Sequence, residues 1–305
     1  MRIALIIPTL NAEKQNFYRV LEAISKQILQ PNHVLILDSG STDNTIAIAK
    51  SFGYQIEAIE TGSFDHAGTR KRGIELIRDH ADIVIFMTQD ALLKDEFGFL
   101  NLVKSFGNSD ISVAYGRQLP RAKASPIEAF ARLFNYPEHP ERRCLEDFEK
   151  YGMKVAFCSD SFAAYRIKDV LELDAFPNKS IVGEDYITVA NLLLNGKSIQ
   201  YCAQAQAIHS HSYSFVQEFS RYFDIGVFHK EYERLIKQLG VTEKSGQAFV
   251  KAELKYLLKK YPWLIPNAIL RTLLKYSGYR LGKAYKSLPP KLVKKLSMHS
   301  FYFKI

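Results

Sequence analysis

The first 120 residues alternate strand and helix patterns, and this alternation restricts the possible folds more than any other feature of the chain. Residues 3–7 form a continuous apolar run, which is typical of a strand buried on both faces. Apolar residues then recur at helical spacing up to residue 28. Further strands are predicted at 33–37, 54–59 and 82–86, with helices at 45–52 and 67–78 between them. Such βαβ repetition predicts an α/β fold with a mostly parallel sheet and helices on both faces.

Polar side chains follow each of these four predicted strands. In open parallel sheets, ligands bind at the carboxyl ends of the strands. Any one polar residue could simply cap a helix, but four clusters at four consecutive strand ends predict a ligand site. The residues concerned are Pro8 and Thr9 after the first strand, Asp38 at the end of the second, Arg70 after the third, and Gln89 and Asp90 after the fourth.

Glycine-rich phosphate loops are missing from the sequence. No G-x-G-x-x-G follows the first strand and no G-x-x-x-x-G-K-[ST] occurs anywhere, which disfavours dinucleotide-binding and P-loop enzymes. A phosphate group bound without such a loop needs another positive partner. Asp90 is a candidate ligand of a divalent metal that would serve this purpose, and a helix cap is the alternative.

Several short segments resemble one known family. The donor-side segments are IPTLN (7–11), LDSGSTDNT (37–45), FDHAGTR (64–70) and TQDA (88–91), and they are followed by AYGRQ (114–118), SDSFAAYR (159–166) and HSH (209–211). Together they resemble an inverting family 2 glycosyltransferase with the GT-A fold, in the branch of the bacterial rhamnosyltransferases. The matching segments extend over residues 3–214, in the order that the family has.

The resemblance implies roles for the donor-side residues. Asp38 and Arg70 are similar to residues that bind the nucleobase, in a pocket also lined by Pro8 and Thr9, with Gln89 among the nucleotide-binding residues. A carboxylate can accept a hydrogen bond from a pyrimidine N3–H, and a guanidinium offers a planar fork of donors. Asp90 matches the last carboxylate of the family's metal motif, whereas Thr88 stands where many members have an acid. One carboxylate suits Mg²⁺, or Mn²⁺ if an imidazole joins it.

His209 and His211 are the candidates for that imidazole. Two histidines two residues apart on a strand lie on the same face, although a pair of ordinary surface or core histidines is the alternative. The resemblance favours His209, which lies 24 residues beyond Asp185.

Asp185 is the candidate general base. Glu184 and Asp185 resemble the family's acceptor motif, and displacement at an anomeric carbon needs a carboxylate that deprotonates the attacking hydroxyl. The alternative is an acidic first turn of a helix, which the helix dipole favours. Asp160 is predicted to lie under the donor sugar or the acceptor. Arg117, after the apparent fifth strand, is predicted to contact phosphate or to pair with an acid.

The net charge of +9 belongs to the C-terminal part of the chain. Residues 241–305 contain 14 Lys or Arg and two acids, which leaves residues 1–240 with a net charge of −3. Large apolar residues interleave with these cations, and such a surface is attracted to anionic membranes. A helical subdomain packed on the core is the alternative, and we expect no nucleic-acid partner. Three irregularly spaced cysteines fit no disulfide framework or zinc site and predict a cytoplasmic protein.

Taken together, the sequence predicts a Rossmann-like GT-A domain at 1–212, with a donor half at about 1–120 and an acceptor half at about 121–212, followed by a basic, mainly helical region at 213–305. The expected reaction is inverting transfer of L-rhamnose from dTDP-rhamnose to a glycan or lipid-linked acceptor for a cell-surface polysaccharide, at the inner face of the cytoplasmic membrane. A sugar-nucleotide pyrophosphorylase and a non-catalytic carbohydrate- or lipid-binding protein are the alternatives. Residues 135–150, rich in charges and prolines, are predicted to form a loop over the acceptor site.

Overall fold

The computed structural model describes residues 1–60, 65–174, 176–239 and 244–303, so Phe64 of the FDHAGTR segment lies outside the described residues. The strands are β1 (Ile3–Thr9), β2 (His33–Asp38), β3 (Gln55–Ala58), β4 (Ile83–Met87), β5 (Leu92–Leu93), β6 (Ile111–Leu119), β7 (Glu141–Arg143), β8 (Phe162–Arg166) and β9 (Ser198–Ile208).

Helices alternate with the strands in the first two thirds of the chain and dominate the remainder. The helices are α1 (Phe17–Ser25), α2 (Thr45–Ser51), α3 (His66–Ile77), α4 (Gly98–Val103), α5 (Pro126–Asn135), α6 (Phe148–Tyr151), α7 (Ile167–Glu172), α8 (Glu184–Leu194), α9 (Phe215–Glu231), α10 (Glu233–Gln238), α11 (Lys244–Lys260), α12 (Ile265–Lys283) and α13 (Pro290–Leu296). The predicted strands and helices of the first 90 residues are confirmed. Their ends differ by at most two residues, except that α1 ends at Ser25, three residues before the predicted end at residue 28.

Within the described residues, nine strands form one sheet in the order β3-β2-β1-β4-β8-β6-β9-β5, and β7 pairs with the outer side of β9. The strands β3, β2, β1 and β4 are parallel, as are β6 and β9. β8 runs antiparallel to both of its neighbours. The predicted mostly parallel sheet is therefore confirmed. The prediction of a plain loop at 135–150 is wrong in part, because that segment contains β7, which pairs with β9.

The apolar strands explain the two-sided core. Alternate residues of β1 pack on opposite faces: Ala4 and Ile6 belong to one hydrophobic cluster, and Leu5 and Ile7 belong to the other. Both clusters are covered by helices, so a strand such as β1 has no polar face to present to water.

The carboxyl ends of the strands bring the predicted polar residues to one edge. In the register of β1 with β2, Thr9 lies opposite Asp38. Asp90 follows β4 and precedes β5, and the next helix, α4, begins only at Gly98. The helix-cap alternative for Asp90 is therefore excluded, because no helix begins within a turn of it.

The C-terminal region is mainly helical, as predicted. α12 packs on α9 through small residues, because Gly278 and Gly282 are buried against backbone atoms of α9. No helix in the described ranges is long and apolar enough to cross a bilayer. The boundary at residue 212 stays a prediction.

Replacing Gly282 with alanine tests this helix contact. A methyl group there would overlap the carbonyl oxygen of Phe223 and lie 2.9 Å from Cα of Gly226, both of which are backbone atoms. We expect the free energy of unfolding, measured by urea denaturation, to fall by about 1–3 kcal/mol because the helices must separate. Gly246→Ala in α11 is the matched control, since a methyl there meets nothing within 4 Å. An equal effect of both substitutions would contradict the close contact.

Candidate active site

Asp90, His209 and His211 form a candidate metal-binding cluster. The pairing of Leu92 with Ile208 places the end of β9 beside the segment that carries Asp90. His209 Nε2 lies 3.4 Å from Asp90 Oδ1, and His211 Nε2 lies 3.7 Å from Asp90 Oδ2. One ligand atom from each of the three residues lies within 4.8 Å of the others. The cluster offers a carboxylate and two imidazoles, a donor set that suits Mn²⁺ better than Mg²⁺.

The protonation of these side chains favours metal binding. Burial opposes ionisation of Asp90, but hydrogen bonding and charge from His209, with a further contribution from His211, hold its pKa well below its usual range. Burial lowers the pKa of His211 to about 4, so this imidazole is neutral at pH 7. An ionised carboxylate and a neutral imidazole are the forms that coordinate a metal.

Gln118 orients the ring of His209. Its Oε1 lies 3.1 Å from His209 Nδ1, and its Nε2 donates to Ser159 Oγ at 2.8 Å. Arg132 Nη1 also donates to Gln118 Oε1, which fixes this oxygen as the acceptor. His209 Nδ1 therefore donates to Gln118, and Nε2 is the ring nitrogen that faces Asp90. Such partners of a ligand histidine typically change metal affinity by 10- to 100-fold.

Glu128 holds the segment that follows β9. The hydroxyls of Ser210 and Ser212 both donate to its carboxylate, and Arg121 pairs with it at 3.2 Å. Burial of Glu128 opposes ionisation, but these hydrogen bonds keep its pKa below the usual range. His211 lies between the two serines, so Glu128, which belongs to α5, restrains the position of its imidazole.

A cavity of about 450 Å³ opens beside the cluster. Asp90 and His211 line one part of it, and Lys14, Arg19 and Arg121 line another. Cationic side chains around a cleft raise the local concentration of anions, so this cavity suits an anionic group such as a diphosphate. The sequence analysis did not single out these three cations, since exposed Lys and Arg are ordinary on any surface.

Replacing Gln118 with alanine is expected to weaken Mn²⁺ binding by roughly 10- to 100-fold, because the His209 ring and tautomer lose their restraint. The affinity is measured from the electron paramagnetic resonance signal of free Mn²⁺ in the presence of dTDP. Gln204→Ala, at an exposed position on β9, is the matched control and should leave the affinity unchanged. Equal Mn²⁺ affinity of the two variants would show that Gln118 does not orient the ligand.

Arg70 lies in the interior, between two acids. Its Nε is 3.1 Å from Asp160 Oδ2, and its Nη1 is 2.8 Å from Glu184 Oε1. Only 5% of the Arg70 side chain is exposed, so most of its guanidinium is occupied by these acids. Its contact with the nucleobase stays a prediction. Because Arg70 belongs to α3 while Glu184 begins α8, the ion pairs connect the two halves of the sheet domain.

Asp185 lies beside this buried group. It belongs to the first turn of α8, and its Oδ1 accepts a hydrogen bond from Tyr186 N at 2.7 Å. Asp160 N approaches its other oxygen at 3.4 Å. Burial, together with the charges of Glu184 and Asp160, raises the pKa of Asp185 well above its usual range. Its place in an acidic first turn is thus observed, and its role as general base stays a prediction.

The other two acids respond to the same surroundings in opposite directions. Burial raises the pKa of Asp160 to about 6, although the charge of Arg70 opposes this increase. Burial also favours protonation of Glu184, but Arg70, with a smaller contribution from His66, holds the pKa of that carboxyl below its usual value. The positive charge of Arg70 is therefore shared among several carboxylates.

Asp38 organises the turn after β2. Its Oδ1 accepts from Thr9 and Ser41 hydroxyls at 3.0 and 2.6 Å, and its Oδ2 accepts from the backbone N–H groups of Gly40 and Ser41. A pyrimidine N3–H would have to replace one of these donors, and the Ser41 hydroxyl is also held by Asn11 N, which donates to its oxygen at 2.9 Å. Binding of the base by Asp38 and Thr9, beside the partly buried Pro8, stays a prediction.

Gln89 and Arg117 have partners within the chain. Gln89 accepts from Leu10 N at 2.8 Å and donates to Leu10 O, which joins the turn after β4 to the end of β1. Arg117 lies inside β6 rather than after the strand, and it donates to Tyr136 O and pairs with Glu138 at 3.2 Å. Pairing with an acid was one of the two predicted roles of Arg117.

The candidate metal cluster and the buried group around Arg70 are connected through two consecutive residues. Ser159 accepts from Gln118, which holds His209, whereas the next residue, Asp160, contacts Arg70 and Asp185. The segment before β8 therefore connects the candidate metal cluster to the candidate base. Gln118 belongs to the AYGRQ segment, in which the sequence analysis identified only Arg117 as a candidate site residue. The role of Gln118 was therefore missed.

Known proteins resemble this chain in sequence over its full length. Residues 4–173 match the family model described as "Glycosyl transferase family 2". The chain is 41% identical to the O-antigen chain rhamnosyltransferase RfbN of Salmonella typhimurium over 99% of this chain and 96% of that protein. It is 38% identical to the O-antigen chain rhamnosyltransferase WbaN of Salmonella anatum, over 98% of this chain and 95% of that protein.

Solved structures share the fold at lower sequence identity. The mannosyltransferase PcManGT from Pyrobaculum calidifontis, in complex with GDP-Man and Mn²⁺, superposes with a TM-score of 0.57 at 16% identity, over 99% of this chain and 84% of that chain. S. aureus TarS 1–349, in complex with UDP-GlcNAc, gives a TM-score of 0.55 at 16% identity, over 94% of this chain and 92% of that chain. At such identities the likeness concerns the fold alone.

Proposed function

Because this chain belongs to glycosyl transferase family 2, we propose that it transfers L-rhamnose from dTDP-rhamnose, with inversion, to a glycan or lipid-linked acceptor. The observation that carries this proposal is the full-length similarity to two O-antigen chain rhamnosyltransferases. The product would belong to a cell-surface polysaccharide. A sugar-nucleotide pyrophosphorylase is not supported, since the family is that of glycosyltransferases.

In the proposed reaction, Asp185 takes the proton from the acceptor hydroxyl. The hydroxyl oxygen attacks the anomeric carbon of the donor from the face opposite to the diphosphate, and the carbon–oxygen bond to the diphosphate breaks. The raised pKa of Asp185 makes its ionised form a stronger base than an ordinary aspartate, which favours proton transfer from the acceptor hydroxyl. Glu184 and Asp160 would border the sugar or the acceptor.

Asp90, His209 and His211 would hold the divalent cation, Mn²⁺ or Mg²⁺. Their donor atoms fit such an ion, and Gln118 presets the histidine tautomer that coordination needs. When bound, the ion would neutralise charge on the departing diphosphate. The cations around the neighbouring cavity would supplement this charge.

The donor nucleotide would lie along the carboxyl edge of β1, β2 and β4. Pro8, Thr9 and Asp38 would line the nucleobase pocket, with Arg70 behind it and Gln89 shaping the turn. In this proposal, residues 1–212 form the catalytic domain and residues 213–305 form a basic region that holds the enzyme at the inner face of the cytoplasmic membrane. The basic, interleaved sequence of that region supports the assignment.

Isothermal titration with dTDP and with UDP, each with and without Mn²⁺, tests the donor site. We expect metal-dependent binding that is at least tenfold tighter for dTDP than for UDP. Asp90→Asn should remove the metal dependence, whereas Asp110→Asn, at a carboxylate whose side chain is 62% exposed, should not.

The outcomes separate the parts of the proposal. A preference for UDP would contradict the dTDP donor and leave the glycosyltransferase intact. Binding that is unaffected by Mn²⁺ in the natural protein would contradict the metal site. Failure of both nucleotides to bind would favour the non-catalytic carbohydrate- or lipid-binding alternative.

A further inference from the structure

α12 exposes large apolar side chains on one face. These are Ile269, Leu270, Leu273, Tyr276 and Leu281, and with Trp263, just ahead of the helix, we call them the α12 stripe. Leu273 is 58% exposed and Trp263 is 71% exposed. Ile269, Leu273 and Tyr276 follow one another at intervals of four and three residues, which places them along one side of the helix.

The opposite face of α12 makes this exposure unusual. Ala268, Gly278 and Gly282 are buried, and the backbone of α12 is in close contact with that of α9. A surface helix ordinarily turns its large apolar residues to the core and its polar residues to water. α12 instead buries small residues and leaves large apolar residues exposed, and an exposed apolar patch of this kind marks an interaction surface.

The charge around the stripe indicates what binds there. Residues 254–305 contain 12 Lys or Arg and no acid. The exposed side chains of Lys259 and Lys260 precede Trp263, and those of Arg280 and Lys283 lie at the other end of the stripe. An apolar stripe bordered by cations is complementary to an anionic lipid surface, whose headgroups meet the cations while the apolar side chains enter the interface.

We propose that the α12 stripe docks the enzyme on an anionic lipid bilayer, with Trp263 in the headgroup region. This inference rests on the proposed function, in which the enzyme works at the cytoplasmic membrane, and it identifies the surface that makes the contact. Tryptophan is favoured at membrane interfaces because its ring is apolar and its N–H is polar.

The same helix is fixed to the candidate active site. Arg271 Nη1 donates to the carbonyl oxygen of Tyr213 at 3.1 Å and pairs with Glu218 Oε2 at 2.6 Å. Tyr213 lies two residues after His211, and Lys275 also pairs with Glu218, at 3.0 Å. Contact of the stripe with a bilayer would therefore set the orientation of the metal cluster relative to the membrane.

Trp263 offers a direct test on the natural protein, because it is the only tryptophan in the chain. This residue is 71% exposed to water in the free protein. We therefore expect its fluorescence to shift to shorter wavelength when anionic vesicles are added. These vesicles contain phosphatidylcholine with about 30% phosphatidylglycerol, which gives them the negative charge that attracts a basic surface. Vesicles of phosphatidylcholine alone should give a much smaller shift. An emission spectrum that does not respond to anionic vesicles would overturn the proposal.

Vesicle sedimentation with substituted full-length proteins locates the surface. Leu270→Glu/Leu273→Glu should lower partition to anionic vesicles at least tenfold, since two apolar side chains are lost from the contact. The matched control, Leu76→Glu/Leu171→Glu, changes two exposed leucines outside the tail and should have less than a twofold effect. Lys259→Gln/Lys260→Gln should lower partition roughly tenfold at low salt and little at high salt.

Three further readouts keep the result decisive. Circular dichroism tests whether each variant is folded. If Leu270→Glu/Leu273→Glu does not fold, the vesicle binding of Lys259→Gln/Lys260→Gln and the Trp263 emission of the natural protein still test the docking surface. Unchanged partition of a folded stripe variant would overturn the proposal, as would a natural dimer that this variant converts to a monomer. Titration of the natural protein with dTDP is run in parallel: if the natural protein binds dTDP but does not bind anionic vesicles, the docking surface is refuted and the proposed function stands.

Discussion

Asp185→Asn is expected to lower kcat by at least 100-fold while the affinity for dTDP changes less than about twofold. Asparagine has nearly the same shape and can still accept the hydrogen bond from Tyr186 N, but it cannot take a proton from the acceptor hydroxyl. The loss should therefore appear in turnover and not in donor binding. The measurements are a steady-state assay of nucleotide release with acceptor present, and calorimetric titration with dTDP.

Two controls accompany this prediction. Asp79→Asn, at a carboxylate whose side chain is 83% exposed, should retain full activity. The pH profile of the natural enzyme should show activity that rises with pH, because Asp185 acts in its ionised form and burial raises its pKa. That rising limb should be missing from the residual activity of Asp185→Asn. Full activity of the asparagine variant would show that another group is the base.

The strand and helix order of the donor half was predictable because its physical causes are local. A strand buried on both faces must be apolar at every position, so the β1 run is visible in the sequence without knowledge of its neighbours. The polar residues at the strand ends were found for the same reason, since each apolar run must stop where the chain leaves the sheet. Parallel pairing then brings Thr9 and Asp38 together.

The partners of the site residues were not predictable, because they depend on long-range packing. Nothing near Arg70 in the sequence indicates that Asp160, 90 residues later, approaches its guanidinium. The antiparallel insertion of β8 between β4 and β6 brings Asp160 there. Gln118 is similar, because a glutamine in a strand has no distinguishing pattern until its contact with His209 is seen.

Helical periodicity in the C-terminal region predicts the helices but not which face of each helix is buried. The interleaved cations and apolar residues predict helices, but two different faces of α12 are compatible with that sequence. Backbone contact at Gly278 and Gly282 decides between them, because only a face without side chains can approach α9 so closely. The large apolar residues are then left on the exposed side.

Arg70→Met is expected to lower the free energy of unfolding by about 3–5 kcal/mol, because it removes the cation from buried carboxylates while nearly preserving volume. The pairs with Asp160 and Glu184 are almost fully buried, so water cannot compensate for the lost charge. Urea denaturation measures the effect. Arg72→Met on the same helix is the matched control: its pair with Glu57 is largely exposed, and its loss should cost less than about 1 kcal/mol.

Adding Glu184→Met to Arg70→Met should restore part of the lost stability, since it removes one of the carboxylates left without a partner. The pKa of Asp160 should then lie above its value in the natural protein, because the charge of Arg70 lowers this pKa by more than the charge of Glu184 raises it. Titration with dTDP distinguishes the buried ion pair from the predicted nucleobase contact. If Arg70→Met abolished nucleotide binding without loss of stability, the guanidinium would bind the nucleobase. The ion pairs with Asp160 and Glu184 would then contribute little to the stability of the fold.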